Sequence, residues 1–98
     1  MKKTLLALLF VATSSLFAAD GATLYKKCAV CHGAKAEKKA LNKSQIIQGW
    51  SVDNLVASMK GYQAGTYGGA LKGTMKGQVA NLKDEDIKAL AEYIAGLK

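Results

Sequence analysis

The chain has 98 residues, half of them apolar, which suits one small domain, and its formal charge at pH 7 is +7. All its basic side chains except the one histidine are lysines, which argues against a nucleic-acid partner, because arginine makes most bidentate contacts to bases and phosphates. The lysine excess therefore serves solubility or steers the chain toward an acidic protein partner.

The first 19 residues, MKKTLLALLFVATSSLFAA, follow the pattern of a secretory signal peptide. Lys2 and Lys3 precede an apolar run, and small residues lie near a cut after position 18 or 19. The run is shorter than the ~20 apolar residues of a membrane-spanning helix. We expect export to the periplasm, removal of 1–19 and no stable membrane insertion, with a retained N-terminal anchor as the alternative. Residues 20–98 then form the single domain.

Residues 20–98 are predicted to be all-α, with three main helices and no strand. The predicted helices cover about 22–32, a stretch that follows Ser51 and ends at the glycines of 61–65, and 84–96. Asp20 and Ser51 are available N-caps, and acidic residues crowd the first turn of the last helix, where the helix dipole favours them. A short helical turn is also predicted at 44–49, and the glycine-rich stretch 61–78 is predicted to be a long loop.

The strongest motif is CAVCH at 28–32, which contains the only histidine. On a helix, Cys28, Cys31 and His32 share one face. A zinc site would lack a fourth Cys or His ligand. A thiol–disulfide exchanger would need a preceding strand. A zinc site, a thiol–disulfide exchanger and a plain disulfide remain as weaker alternatives to c-type haem attachment.

Haem attachment uses every part of this motif. The two thiols would form thioether bonds to the vinyl groups, and the adjacent imidazole would ligate the iron. Covalent haem also supplies apolar bulk to a chain with few large apolar residues, and export agrees with attachment outside the cytoplasm. A second histidine ligand is excluded within one chain. We favour Met75, in the glycine-rich GTMKG, as the sixth ligand over Met59, which lies on an apolar helical stripe; an exposed Met75 with an open sixth site is the alternative.

The order of these features resembles small bacterial periplasmic monohaem class I cytochromes c over essentially all of 20–98. The stretches MKGYQAGTYGG, GTM and NLKDEDIKALAEYIAGL carry the resemblance together with the haem motif. The resemblance implies the class I fold, with helices packed around one haem c and His/Met ligation by His32 and Met75. It also implies that the first and last helices cross, with Leu24 or Tyr25 against Leu90, Tyr93 and Ile94.

Three expectations concern the surroundings of the haem. Many family members use a proline-containing segment to accept the ring N–H of the histidine, but this chain has no proline. We expect a backbone carbonyl of residues 40–42 to accept a hydrogen bond from the ring N–H of His32 instead. Trp50 is expected to form a wall of the pocket, with a bond to a propionate as the alternative. Tyr62 and Tyr67 are expected to line the pocket.

These features predict a monomeric periplasmic electron carrier that is not an enzyme. Its partners would be redox proteins with acidic docking faces, such as a respiratory complex, an oxidase, a peroxidase or a dehydrogenase. The lysines expected to ring the exposed haem edge are Lys26, Lys27, Lys35, Lys38, Lys39, Lys72 and Lys76. The alternatives are a haem protein with an open sixth site that binds a gas or peroxide, and a thiol or metal protein using Cys-x-x-Cys.

Overall fold

The structure is a computed structural model that describes residues 20–98; the predicted signal peptide at 1–19 lies outside the described residues. Four α-helices and one short 3-10 turn make up the regular structure of this part of the chain. In chain order they are α1 (Gly21–His32), the 3-10 turn (Ala40–Asn42), α2 (Val52–Ala64), α3 (Lys72–Val79) and α4 (Asp84–Ala95). The all-α prediction is confirmed, with one helix more than the three predicted.

The predicted helix starts are confirmed by their caps. Asp20 accepts from the backbone N–H of Ala22 at 3.1 Å, and Ser51 accepts from that of Asn54 at 3.1 Å. In the first turn of α4, Asp86 accepts from the backbone N–H of Lys83 at 3.0 Å. Each cap satisfies a backbone donor that a helix start leaves without an intrahelical partner.

The core forms where α1 and α2 pack on the apolar stripe of α4. The ring of Tyr25 lies 5.6 Å from that of Tyr93, so the predicted crossing of the first and last helices is confirmed. At Gly21 the two helices touch, since an added Cβ would collide with the carbonyl oxygen of Ala89 and lie 2.7 Å from Cβ of Tyr93. The buried apolar residues of the cluster are Tyr25, Ala36, Leu55, Met59, Val79, Ile87, Leu90, Ala91 and Ile94.

Two local predictions are wrong. No helix forms at 44–49, where one backbone bond from the N–H of Trp50 to the carbonyl of Ile47 at 3.2 Å closes a single turn; the 3-10 turn lies earlier, at Ala40–Asn42. The backbone N–H of Gln48 donates instead to the distant carbonyl of Ala36 at 2.9 Å, and Gly49 has a φ of +86°, which interrupts a helical path. The stretch 61–78 is also not a single loop, because α3 occupies its second half and carries Met75. Packing of α3 on α2 outweighs the low helix propensity of its two glycines.

None of the helices in residues 20–98 has the length and apolar character that crossing a bilayer requires.

Candidate haem site

A cavity of about 470 Å³ lies between the helices, within the range of small-molecule and cofactor pockets. Its walls are mainly apolar and come from every helix together with the segment 43–50 and the loop before α3. Residues of its apolar wall include Ile47, Trp50, Leu55, Met59, Val79, Leu90 and Ile94. The space therefore suits a large apolar group of the size of haem.

Helix α1 brings the CAVCH motif to this cavity. Cys28 and His32, one turn apart, both line it, whereas Cys31 is half-buried and is not part of the lining. Helix α1 ends at His32, and the chain then turns through Gly33, whose φ is +90°. The hydroxyl of Tyr25 donates to the carbonyl of Gly33 at 2.5 Å, which holds this turn beneath the motif.

His32 is buried, only 6% exposed, and its Nδ1 has no hydrogen-bond partner among the described residues. Burial lowers the pKa of the imidazole, which favours the neutral form that a metal ligand needs. The expected bond from the ring to a carbonyl of 40–42 is not present, so that prediction is wrong for this structure. A buried, unpaired and neutral imidazole beside a large apolar cavity fits iron ligation better than a structural role, since buried polar atoms are normally paired.

The two thiols do not favour the alternative interpretations of the motif, which are zinc binding, disulfide exchange and a structural disulfide. Burial raises the pKa of Cys28, whereas a disulfide-exchange nucleophile needs a lowered one. Both Cys28 and Cys31 are free rather than joined in a disulfide. Within residues 20–98 no group of three or more His, Cys, Asp or Glu side chains is placed to hold a metal ion. The site therefore gives no support to zinc or thiol chemistry.

Met75 lines the same cavity from α3 and is partly buried against the core. Met59 also lines it but is only 5% exposed and belongs to the buried cluster. The structure thus brings Met75 and His32 to one cavity from two different helices. The reason given for Met75 changes, however, because it projects from a helix and not from a flexible loop.

Trp50, Tyr62 and Tyr67 lie in the wall, as expected. The two tyrosine rings form an edge-to-face pair with centroids 5.1 Å apart. Gly68 allows the loop to pass close to this pair, since its φ is +112° and an added Cβ would lie 2.5 Å from Cε1 of Tyr62. Burial raises the pKa of Tyr62, with Tyr67 adding to the effect, so Tyr62 stays neutral in ordinary buffers.

Sequence reasoning missed the residues that hold α3 in place. Gln63 donates from one amide nitrogen to the carbonyl of Val79 at 2.8 Å and to that of Leu82 at 2.9 Å. Lys27 donates to the carbonyl of Gln78 at 2.7 Å. A signal for Gln63 existed in the sequence: it lies one turn after Met59, where a polar residue continues an apolar stripe.

Comparison with known proteins agrees with this site. The sequence model described as "Cytochrome c" matches residues 18–98. The chain is 42% identical over 91 residues to "Cytochrome c-553" of Nitratidesulfovibrio vulgaris, covering 93% of this chain and 89% of that protein. It is 42% identical over 99 residues to "Cytochrome c-553" of Helicobacter pylori, covering 100% of both. "Cytochrome c-553" of Desulfomicrobium norvegicum is 41% identical over 75 residues, covering 76% of this chain and 91% of that one.

Proposed function

Because this chain belongs to the cytochrome c family, we propose that it carries electrons between periplasmic redox proteins with His32 and Met75 as axial ligands. As a family member it is an electron-transport protein that holds one haem c through thioether bonds to Cys28 and Cys31. The bound haem supplies an iron that alternates between the ferrous and ferric states. The observation that carries the ligand assignment is that His32 and Met75 line one apolar cavity from α1 and α3.

The side chains around the cavity set what this site can do. A thioether ligand from Met75 together with the imidazole of His32 would raise the reduction potential relative to two imidazoles. The apolar walls exclude water, so little solvent has to reorganise when charge changes. If His32 and Met75 both hold the iron, the chain would leave no iron position for a substrate. The sequence also offers no second histidine and no arginine as a distal acid–base group. These features favour a carrier over an enzyme.

The visible absorption spectrum tests the ligand assignment. Wild-type ferric protein is expected to show the weak far-red band of sulfur bound to iron, and Met75→Ala is expected to lose it. Met59→Leu is the matched control, because it conserves volume and changes the other methionine that lines the cavity. Loss of the band in Met59→Leu but not in Met75→Ala would assign the ligand to Met59. A wild-type protein without the band would have an open sixth site, and gas or peroxide binding would replace the proposal.

The charged surface supports a docking function. The seven lysines near the haem motif and α3 are all exposed: Lys26, Lys27, Lys35, Lys38, Lys39, Lys72 and Lys76. Fixed positive charge around the site would accelerate encounter with an acidic partner, and such redox complexes are small and short-lived. We expect the protein to work as a monomer that forms these transient complexes.

Small redox probes of opposite charge test this surface without a named partner. The rate of oxidation by anionic ferricyanide is expected to fall as ionic strength rises, and oxidation by a cationic cobalt complex is expected to accelerate. Lys38→Glu should slow the ferricyanide reaction several-fold. Lys88→Glu on α4 makes the same change outside this set and should have a smaller effect. Equal effects of the two variants would indicate that net charge, and not a local docking surface, sets the rate of the ferricyanide reaction.

Export is the remaining part of the proposal. The family match starts at residue 18, next to the cut proposed after residue 18 or 19. Mass spectrometry of the protein from a periplasmic fraction is expected to give a chain beginning at residue 19 or 20 with one haem attached. A full-length chain in the membrane fraction would instead support the retained anchor.

A further inference from the structure

Helix α3, which carries Met75, is held mainly at one end. Its last residue, Val79, is only 2% exposed and belongs to the core. Two long-range side chains donate to the carbonyls of its final turn: Lys27 from α1 to Gln78, and Gln63 from α2 to Val79. These carbonyls have no partner within the helix. The carbonyl of Val79 also accepts from the backbone N–H of Leu82 at 3.1 Å, so Gln63 is its second donor.

The start of α3 lacks such ties. No side chain caps it at Leu71, and the residues before it, 65–70, are all exposed. An added Cβ at Gly69 or Gly73 would meet nothing within 4 Å. The backbone at Gly69 and Gly73 therefore has space around it, and this part of the chain is held by the close approach of Gly68 to Tyr62 and by the packing of Met75 on the core, without long-range side-chain hydrogen bonds. Met75 lies between this part and the hydrogen-bonded end of α3.

Of the two tying residues, Gln63 is the stronger. Lys27 is exposed, so water competes for its ammonium group. Gln63 is half-buried. Its amide donates to the carbonyl of Val79, at the end of α3, and to that of Leu82, in the connection to α4. Only a primary amide of this length donates two hydrogen bonds here without bringing a charge.

We propose that Gln63 is a positioning residue for Met75: by fixing the end of α3 against α2 it keeps the thioether at the sixth position. The inference rests on the proposed function, since it requires Met75 to be the ligand. When Gln63 cannot donate, the end of α3 is held less firmly, and the state in which Met75 has left its position becomes more populated. An external ligand then binds more tightly, because its apparent affinity follows the population of that competent state.

Imidazole is the probe, titrated into the ferric haem-bound protein and followed by visible absorption. Gln63→Glu keeps the length of the side chain but replaces both donors by an acceptor facing two carbonyls. Gln78→Glu is the matched control: it makes the same chemical change on α3 itself, at an exposed side chain that makes no hydrogen bond within the described residues. Gln63→Asn, one methylene shorter but still a donor, is a milder second variant in case Gln63→Glu does not fold. Ile87→Val, in the core of α4, controls for a general loss of stability.

Gln63→Glu is expected to lower the dissociation constant for imidazole about tenfold, the effect of about one net hydrogen bond. Gln63→Asn should lower it less, while Gln78→Glu and Ile87→Val should stay within twofold of wild type. The far-red band should also fade on heating well before the chain unfolds in Gln63→Glu, but not in Ile87→Val.

Three results would overturn the inference in different ways. If wild type shows the far-red band but the Gln63 variants bind imidazole like Gln78→Glu, Met75 is the ligand and Gln63 does not position it. If wild type lacks the band, the proposed ligation fails, and the role of Gln63 fails with it. An equal gain of imidazole affinity in Ile87→Val would assign the effect to stability alone.

Discussion

The two sides of the haem cavity are built differently. On the histidine side, α1 crosses α4 so closely that Gly21 has no room for a methyl group, and the ring of Tyr25 is 3% exposed. On the methionine side, α3 is short, contains two glycines and follows an exposed loop. Its contacts with the rest of the fold are the core packing of Val79 and Met75, the approach of the preceding loop to Tyr62 at Gly68, and two side-chain hydrogen bonds.

This difference separates the side that attaches the haem from the side on which the properties of the haem can vary. Helix α1, which carries both thioether bonds, also makes a close contact with α4 at Gly21, so covalent bonds and helix packing both fix its position. The side that supplies Met75 relies on hydrogen bonds that are each worth about 1 kcal/mol net. If Met75 is the sixth ligand, small sequence changes there would alter the strength of its bond to iron without disturbing the core. We expect ligand exchange and differences in potential among relatives to arise mainly on the methionine side.

The largest effect is expected where both sides meet the cofactor. Replacing Cys28 and Cys31 by alanine should abolish covalent haem, measured as the loss of one haem mass, and should leave the chain largely unfolded by circular dichroism. Without the cofactor, the apolar wall of the 470 Å³ cavity would lose its packing and face water, and the loss of several such core contacts is comparable to the total stability of many domains. A double variant with native helix content would show that the helices pack without their cofactor.

The next largest effect is expected at Gly21, where α1 crosses α4 closely. Gly21→Ala is expected to lower the free energy of unfolding by about 1–3 kcal/mol, because the new methyl group would meet the carbonyl of Ala89 and Cβ of Tyr93. Urea unfolding of the haem-bound protein measures it. The far-red band should persist in the folded variant, since Met75 lies elsewhere. An unchanged stability would mean that α1 and α4 can separate at no cost.

A glycine-to-alanine substitution on the methionine side should have the opposite effect on the free energy of unfolding. Gly77 lies inside α3, and an added Cβ there would meet nothing within 4 Å. Gly77→Ala is expected to raise the stability of the haem-bound protein by about 0.5–1 kcal/mol, since alanine loses less backbone entropy in a helix. Hydrogen exchange of the amides of α3 should slow as well. A destabilised variant would indicate that the methionine side is packed as closely as the histidine side.

Tyr25 links stability to alkaline pH on the histidine side. Burial raises the pKa of Tyr25 to about 12, above its value of about 10 in an unfolded chain. Because the folded-state pKa is the higher one, this contribution is complete below pH 10 and is lost as the pH rises toward about 12. Tyr25→Phe removes the bond to Gly33 and should cost about 1–2 kcal/mol at pH 8. In urea unfolding the gap to wild type should narrow at pH 11; a gap that stays constant would contradict the raised pKa.

The sequence predicted the parts of this fold that repeat a local pattern. Apolar stripes and caps at Asp20 and Ser51 located α1 and α2, and the acidic first turn located α4. Helix α3 was missed because glycines at 73 and 77 lower its intrinsic propensity, while its helical form depends on contacts with α2 that no local pattern contains.

The site was predictable to the extent that its chemistry is local. The CAVCH motif and the single histidine are enough to predict haem, because both thiols and the imidazole lie within five consecutive residues. The bond expected from His32 to a carbonyl of 40–42 is absent, and the sequence could not show this, because the positions of those carbonyls depend on how the segment 33–50 folds. Gln63 could have been recognised as unusual on an apolar stripe, but its two acceptors lie 16 and 19 residues away and become neighbours only in the folded chain.

The smallest effect is expected at the surface pair that joins α2 to α4. Lys60 Nζ lies 3.5 Å from Asp84 Oδ1, and the two side chains are 50% and 82% exposed. Water screens such a pair, so Lys60→Met should change the free energy of unfolding by less than about 0.5 kcal/mol. Asp84→Asn should cost more, since the carboxylate also lies in the first turn of α4, where the helix dipole favours an anion. A double-mutant cycle in low and high salt separates the two contributions. A coupling energy well above about 1 kcal/mol would mean that charge, and not only packing, holds α2 against α4.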